Sequence, residues 1–167
     1  MITAKYLETM ASYNRWQNSN LIAICDQLTA QEIYVERGMF FGSIFKTLNH
    51  IQNVDQTIHT LIHTKSLPAF DPKFILYPGY DELKIARVEF DSRLLSESQE
   101  CSQDWLDEVF ELWSERLNRN RKIPRSFYYL QMFNHQTHHR SQITSEFHKM
   151  DIDYGSTDLP FNPYYDF

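Results

Sequence analysis

The chain has 167 residues, 42% of them hydrophobic and 15% aromatic, which is enough to bury one sizeable core and too apolar for a disordered chain. Its net charge of −6 and pI near 5.6 make a phosphate backbone a poor partner, so nucleic acid is not expected. No apolar stretch approaches the roughly 18 residues of a membrane span, and no early hydrophobic segment with a basic flank marks an export signal, so a cytoplasmic protein with no membrane partner is expected.

The two cysteines, Cys25 and Cys101, lie far apart and form no metal-type or redox-type spacing. They read as ordinary thiols in a reducing compartment. By length, residues 1–167 make a single domain.

The first helical pattern runs from about Thr3 to Leu28, with Tyr6, Met10, Tyr13, Gln17, Leu21, Ile24 and Leu28 recurring at steps of three and four. Tyr13-Asn14-Arg15-Trp16-Gln17-Asn18 places polar and aromatic groups in its middle. After a linker ending in Gly38-Met39-Phe40-Phe41-Gly42, Ser43 can cap a second helix that runs to about His63. Its apolar arc holds Ile44, Leu48, Ile51, Val54, Ile58 and Ile62, with His50 on one flank and His59 on the other. Periodicity does not choose between these two histidines. Asp55 falls inside the apolar arc, where a carboxylate is costly unless bonded. It either anchors a polar contact or orients a metal-binding histidine.

Residues 64–80, with Pro68, Pro72, Pro78 and Gly79, read as one long loop of a length that often covers a site. Asp81 then caps a third helix through Leu83, Arg87, Phe90 and Leu94 to about Ser98. Residues 103–125 fit a short helix or a short extended piece, and Arg119-Asn120-Arg121-Lys122 reads as a solvated turn. Ser126 can cap the last long helix, which ends near Met150. The tail from Asp151 to Phe167 is expected to pack as irregular chain or to contact another subunit. Four long amphipathic segments predict an all-α four-helix bundle with a long loop between helices 2 and 3.

The last helix carries Asn134-His135-Gln136-Thr137-His138-His139-Arg140-Ser141-Gln142. Residues four apart on a helix stack on one face, so His135 and His139 point the same way, as two ligands of one metal must. The pair His135 and His138 competes on spacing alone. At about 100° per residue, Met132, His139, Ile143, Phe147 and Met150 share one arc, His135 sits at its edge, and His138 points away. The pair is therefore His135 and His139. One histidine on an apolar face is ordinarily a core residue bonded to a carbonyl. Two, one turn apart, give metal binding real weight, because each buried imidazole needs its own partner.

These residues resemble the DinB/YfiT-like metalloenzyme family. The stretch from Asn134 to Gln142 is similar to the family's closing signature, Leu48-Asn49-His50-Ile51 with Asp55 to its second-helix motif, and Tyr13-Asn14-Arg15-Trp16 with Asn18 to its first. Asp158-Leu159 also fits, and the likeness covers nearly the whole chain. Ser141 departs from it, standing where the family commonly has glycine, but serine is small enough for close helix packing.

The resemblance implies a four-helix bundle, often a homodimer, with one divalent metal held by His50, His135 and His139. It thereby decides for His50 over His59 and leaves His138 outside the ligand set. Three neutral imidazoles suit zinc or nickel first, then iron or cobalt, and leave a position open for water or substrate. Gln136 follows His135 where a His-Glu-x-x-His metalloprotease has its glutamate, so a peptidase of that type is not expected. Related members suggest transfer of a low-molecular-weight thiol to an electrophilic small-molecule substrate. In that expectation Asp55 serves the active site by supporting a ligand histidine, and the 64–80 loop shapes the pocket. The alternatives are a metal-dependent hydrolase using the same ligands and a non-catalytic, metal-stabilised, stress-related dimer.

Overall fold

The computed structural model describes residues 1–164, apart from the side chain of Arg116. Four long helices, α1 (Ala4–Cys25), α3 (Ile44–Thr64), α4 (Tyr80–Glu100) and α6 (Arg125–Lys149), form a four-helix bundle. Two short helices, α2 (Ala30–Tyr34) and α5 (Gln103–Asp107), and a hairpin of β1 (Val109–Ser114) and β2 (Arg119–Pro124) decorate it. Around the bundle the order is α1, α4, α3, α6, with α1 lying along α4 and α3 along α6. None of the helices is long and apolar enough to cross a membrane among the described residues.

The helix starts follow local chemistry. Thr3 accepts from the Tyr6 amide at 3.1 Å and Ser43 from the Lys46 amide at 3.2 Å, each satisfying a first-turn donor that has no partner within the helix. Two expected caps are displaced. The third long helix starts at Gly79 rather than Asp81, because Glu82 reaches back to accept from the Gly79 amide at 3.0 Å. Ser126 lies inside the first turn of α6, which begins straight out of β2. The buried Arg125 guanidinium anchors that junction by donating to the Ile62 carbonyl at 3.1 Å and pairing with Glu108 at 2.8 Å.

Residues 103–125 contain both of the structures their sequence allowed. α5 is capped by Ser102, and the antiparallel hairpin then pairs Phe110 with Ile123, the two residues that bury its inner face. Asn118, at φ 49°, closes the turn in the left-handed region that asparagine tolerates. The basic run Arg119 to Lys122 is an exposed strand rather than a turn. The linker that ends at Gly42 likewise contains α2, with Thr29 and Glu32 forming a reciprocal capping box. Beyond α6 the tail runs back along α1: the Tyr13 hydroxyl donates to the Thr157 carbonyl at 2.7 Å and the Asn162 amide to Ser12 at 3.2 Å. The tail packs on its own chain up to residue 164, with a single 3₁₀ turn at Leu159–Phe161 among the described residues. Residues 165–167 lie outside the described residues.

The apolar core comes in two parts. One end holds Leu7, Ala11, Ile58, Ile62, Phe90, Leu94, Tyr129 and Met132. The other holds Leu21, Cys25, Ile44, Ile51, Leu83, Ile143 and Phe147. Between them, at mid-height, every long helix contributes buried polar groups. The candidate metal centre lies beside this polar layer, on the side where α3 meets α6.

Candidate metal centre

Residues His135 and His139 stand one turn apart on α6 and face His50 on α3. His50 and His139 are buried and His135 is half-buried, whereas His138 is exposed. One nitrogen from each of His50, His135 and His139 lies within 4.8 Å of the others. Nε2 of His50 and Nε2 of His135 are 2.9 Å apart.

The outward nitrogens explain why the inward ones are available. Nδ1 of His50 donates to the Pro72 carbonyl at 2.8 Å, and Nδ1 of His139 donates to the Gln142 side-chain oxygen at 2.9 Å. With those protons committed outward, both Nε2 atoms present lone pairs to the middle of the cluster. Nδ1 of His135 is buried with no hydrogen-bond partner among the described residues. Phe41 closes one side, stacked on His50 at 3.9 Å between ring centres and edge-on to His139 at 5.5 Å.

All three imidazoles are held below the ordinary histidine range. Burial depresses His135 most, to about 3, with His139 and His50 adding to the effect. Burial also lowers His50 and His139. In the metal-free cluster the His135 Nε2–H donates to the His50 Nε2 lone pair at 2.9 Å, and a cation that takes the place of that one proton meets three neutral imidazole nitrogens. The donor set therefore fits a divalent transition metal.

A cavity of about 400 Å³ adjoins this cluster, lined by Lys46, Phe40, Phe41, Pro72, Lys73 and Phe74 among others. Phe41 and Pro72, which touch His50, form part of its wall. The 64–80 loop thus supplies both a carbonyl to His50 and part of the cavity.

Asp55 is buried on α3 and makes a polar contact with α4. Its Oδ2 accepts from Arg87 at 2.5 Å, and no hydrogen bond links it to the three histidines. The hydrogen bonds to the outward ring nitrogens of His50 and His139 come from Pro72 and Gln142. Arg87 also binds Asp91 through two nitrogens, at 3.1 and 2.7 Å. Asn18 bridges Asp91 to Gln136 at 3.1 Å, and Arg140 donates to both Gln136 and Asn14 at 2.7 Å. The polar layer is thus built from all four long helices.

Burial pushes the Asp55 carboxyl up to about 7 against the pull of Arg87, and it raises Asp91 as well. For Arg87, burial is outweighed by the two carboxylates, so the guanidinium stays firmly charged. The carboxyls lose by burial what the cation gains from the pairing, as expected when two acids share one base. Arg87 and Asp91 went unassigned in the sequence reading. The available signal was a charged residue, Arg87, in the apolar register of its helix.

His59, on the other flank of α3, does not join the cluster and instead bonds Glu97 at 2.8 Å.

The DinB family model matches residues 1–165. A comparison with curated proteins finds none that matches. Among solved structures, the fold is similar to YfiT from Bacillus subtilis, with a TM-score of 0.68 and 11% sequence identity over 92% of each chain. That protein is described as a probable metal-dependent hydrolase with an unusual four-helix bundle topology.

Proposed function

The chain belongs to the DinB family, and from that premise we propose that it is a divalent-metal-dependent enzyme acting on a small molecule, with His50, His135 and His139 as the metal's protein ligands. The observation that carries this reading is the set of three inward-facing, neutral imidazole nitrogens whose other ring nitrogens are largely committed to outward partners. Zinc or nickel suits the set best, and iron or cobalt is also compatible. A metal held there supplies Lewis acidity, which lowers the pKa of a thiol or water at its open position.

The chain's own residues do the rest. Pro72 and Gln142 hold two of the rings in the tautomer that turns Nε2 inward. Phe41 covers His50 and keeps water from that face. The cavity wall carries two lysines, Lys46 and Lys73, against one carboxylate, Glu36, which suits a polar small molecule. The preferred reaction is transfer of a low-molecular-weight thiol to an electrophile: a carbon–sulfur bond forms, the bond to the leaving group breaks, and the thiol proton passes to solvent. A feature that favours a thiol over water is that no carboxylate bonds to the cluster as a ready general base among the described residues. A homodimer in the cytoplasm belongs to the same reading.

A second reading, metal-dependent hydrolysis, is favoured by the likeness to YfiT and its description. One experiment separates the two. Metal content of the purified protein is measured beside His50→Ala and His139→Ala, and the loaded protein is assayed for conjugation of thiols to electrophiles and for ester or amide hydrolysis. The expected result is a metal equivalent lost in both variants and thiol conjugation lost with it. Hydrolysis without thiol would move the conclusion to the second reading. Metal without either activity would make the centre structural.

A further inference from the structure

A second group of metal-type donors lies further along α3. His59 and His63, one turn apart, face Glu97 of α4, and one donor atom from each falls within 4.8 Å of the other two. Along the helix, His59 is about 14 Å from His50, and it sits on the opposite flank of the apolar arc. None of its donors belongs to the three-histidine centre.

Two imidazoles converge on one carboxylate oxygen in this group. Nε2 of His59 is 2.8 Å and Nε2 of His63 is 3.5 Å from the same carboxylate oxygen, Oε2 of Glu97. Four ligands at the usual zinc bond lengths are about 3.3 Å apart, so the two observed spacings bracket that value. A single ion pair needs one imidazole. Two protonated rings with centres 4.3 Å apart would repel, while a divalent cation satisfies both rings and the carboxylate together.

Both rings also pack against an aromatic side chain, His59 edge-on to Phe90 and His63 tilted against Trp105, each with ring centres 5.5 Å apart. Exposure falls from 40% for the His63 side chain through 31% for Glu97 to 16% for His59, which leaves an entry path and open positions for water. The Arg125 guanidinium, whose charge reaches His63, is itself paired with Glu108 at 2.8 Å.

We propose that His59, His63 and Glu97 form a second metal site, a two-histidine, one-carboxylate set for a divalent transition cation. It is independent of the function proposed for the three-histidine centre.

The test is titration of metal-free protein with Co²⁺, followed by visible absorption and by metal analysis after gel filtration. The wild type, His63→Ala and the double variant His135→Ala/His139→Ala are compared. The double variant is expected to take up one equivalent that is lost when His63→Ala is added. His63→Ala alone, at a partly exposed position, is expected to lower the wild-type uptake by one equivalent. Wild-type uptake that His63→Ala leaves unchanged would overturn the proposal. So would a folded double variant, checked by circular dichroism, that takes up no cobalt. Should the double variant fail to fold, the wild-type comparison with His63→Ala decides alone.

Discussion

At the scale of single residues, the balance at the candidate metal centre is between a proton and a cation. Burial depresses His135 from an ordinary value of 6.5 to about 3. The unfolded chain therefore binds a proton below about pH 6.5 that the folded chain refuses until about pH 3. The stability His135 contributes is present above pH 6.5 and is lost as pH falls through that window. Metal-free protein should lose up to about 1.4 kcal/mol per pH unit from this residue alone. Urea melts between pH 4 and 8 check this, and a flat profile would mean that His135 is not neutral in the fold.

At the scale of elements, the question is what holds four helices in register when their middle is polar. The answer lies in a chain of bonds from Asn14 and Asn18 on α1, through Asp91 and Arg87 on α4 and Asp55 on α3, to Gln136 and Arg140 on α6. Buried networks of this kind add little net stability, but removing one member strands its partners. Replacing Arg87 by methionine leaves two carboxyls facing each other without a base. The expected cost is about 3–5 kcal/mol, read from chemical denaturation. Because Arg87 touches none of the three histidines, metal affinity per folded molecule should change little. A marginal loss of stability would show that the two acids simply share a proton. Gln136 has a part in this as well: between His135 and His139 it bonds within the polar layer while they join the three-histidine group, so one turn of α6 serves both.

For the whole molecule, the proposed ligands come from α3 and α6, and a cation held by them would tie together two helices that are distant in sequence. A ligand at 100 times its dissociation constant stabilises the native state by about 2.7 kcal/mol. For a chain of this length that corresponds to roughly 5–10 °C in Tm. Chelation should lower the melting temperature by that amount, and zinc or nickel should restore it, in differential scanning calorimetry. We further propose that residues 1–167 are a single domain. Both apolar clusters are spanned by the same four helices, so the melt should be one transition in either condition. Two separate transitions would contradict this.

Much of the architecture was legible in the sequence because its signals are local. Helix periods, the caps Thr3 and Ser43, the proline-rich loop and the i, i+4 pair His135 and His139 depend on neighbours within a turn or two. The sequence by itself determined four long helices and, through the closing motif, the family. It left the choice between His50 and His59 to resemblance, because both flank one apolar arc. Only the packing decided which flank meets α6. Pairing of Asp55 with Arg87, and backing of His50 by a loop carbonyl, join positions 32 and 22 residues apart. No periodicity reports such contacts. The same limit hid Glu97 from His59 and His63: a carboxylate reads as surface charge until the facing helix shows which side chains it meets.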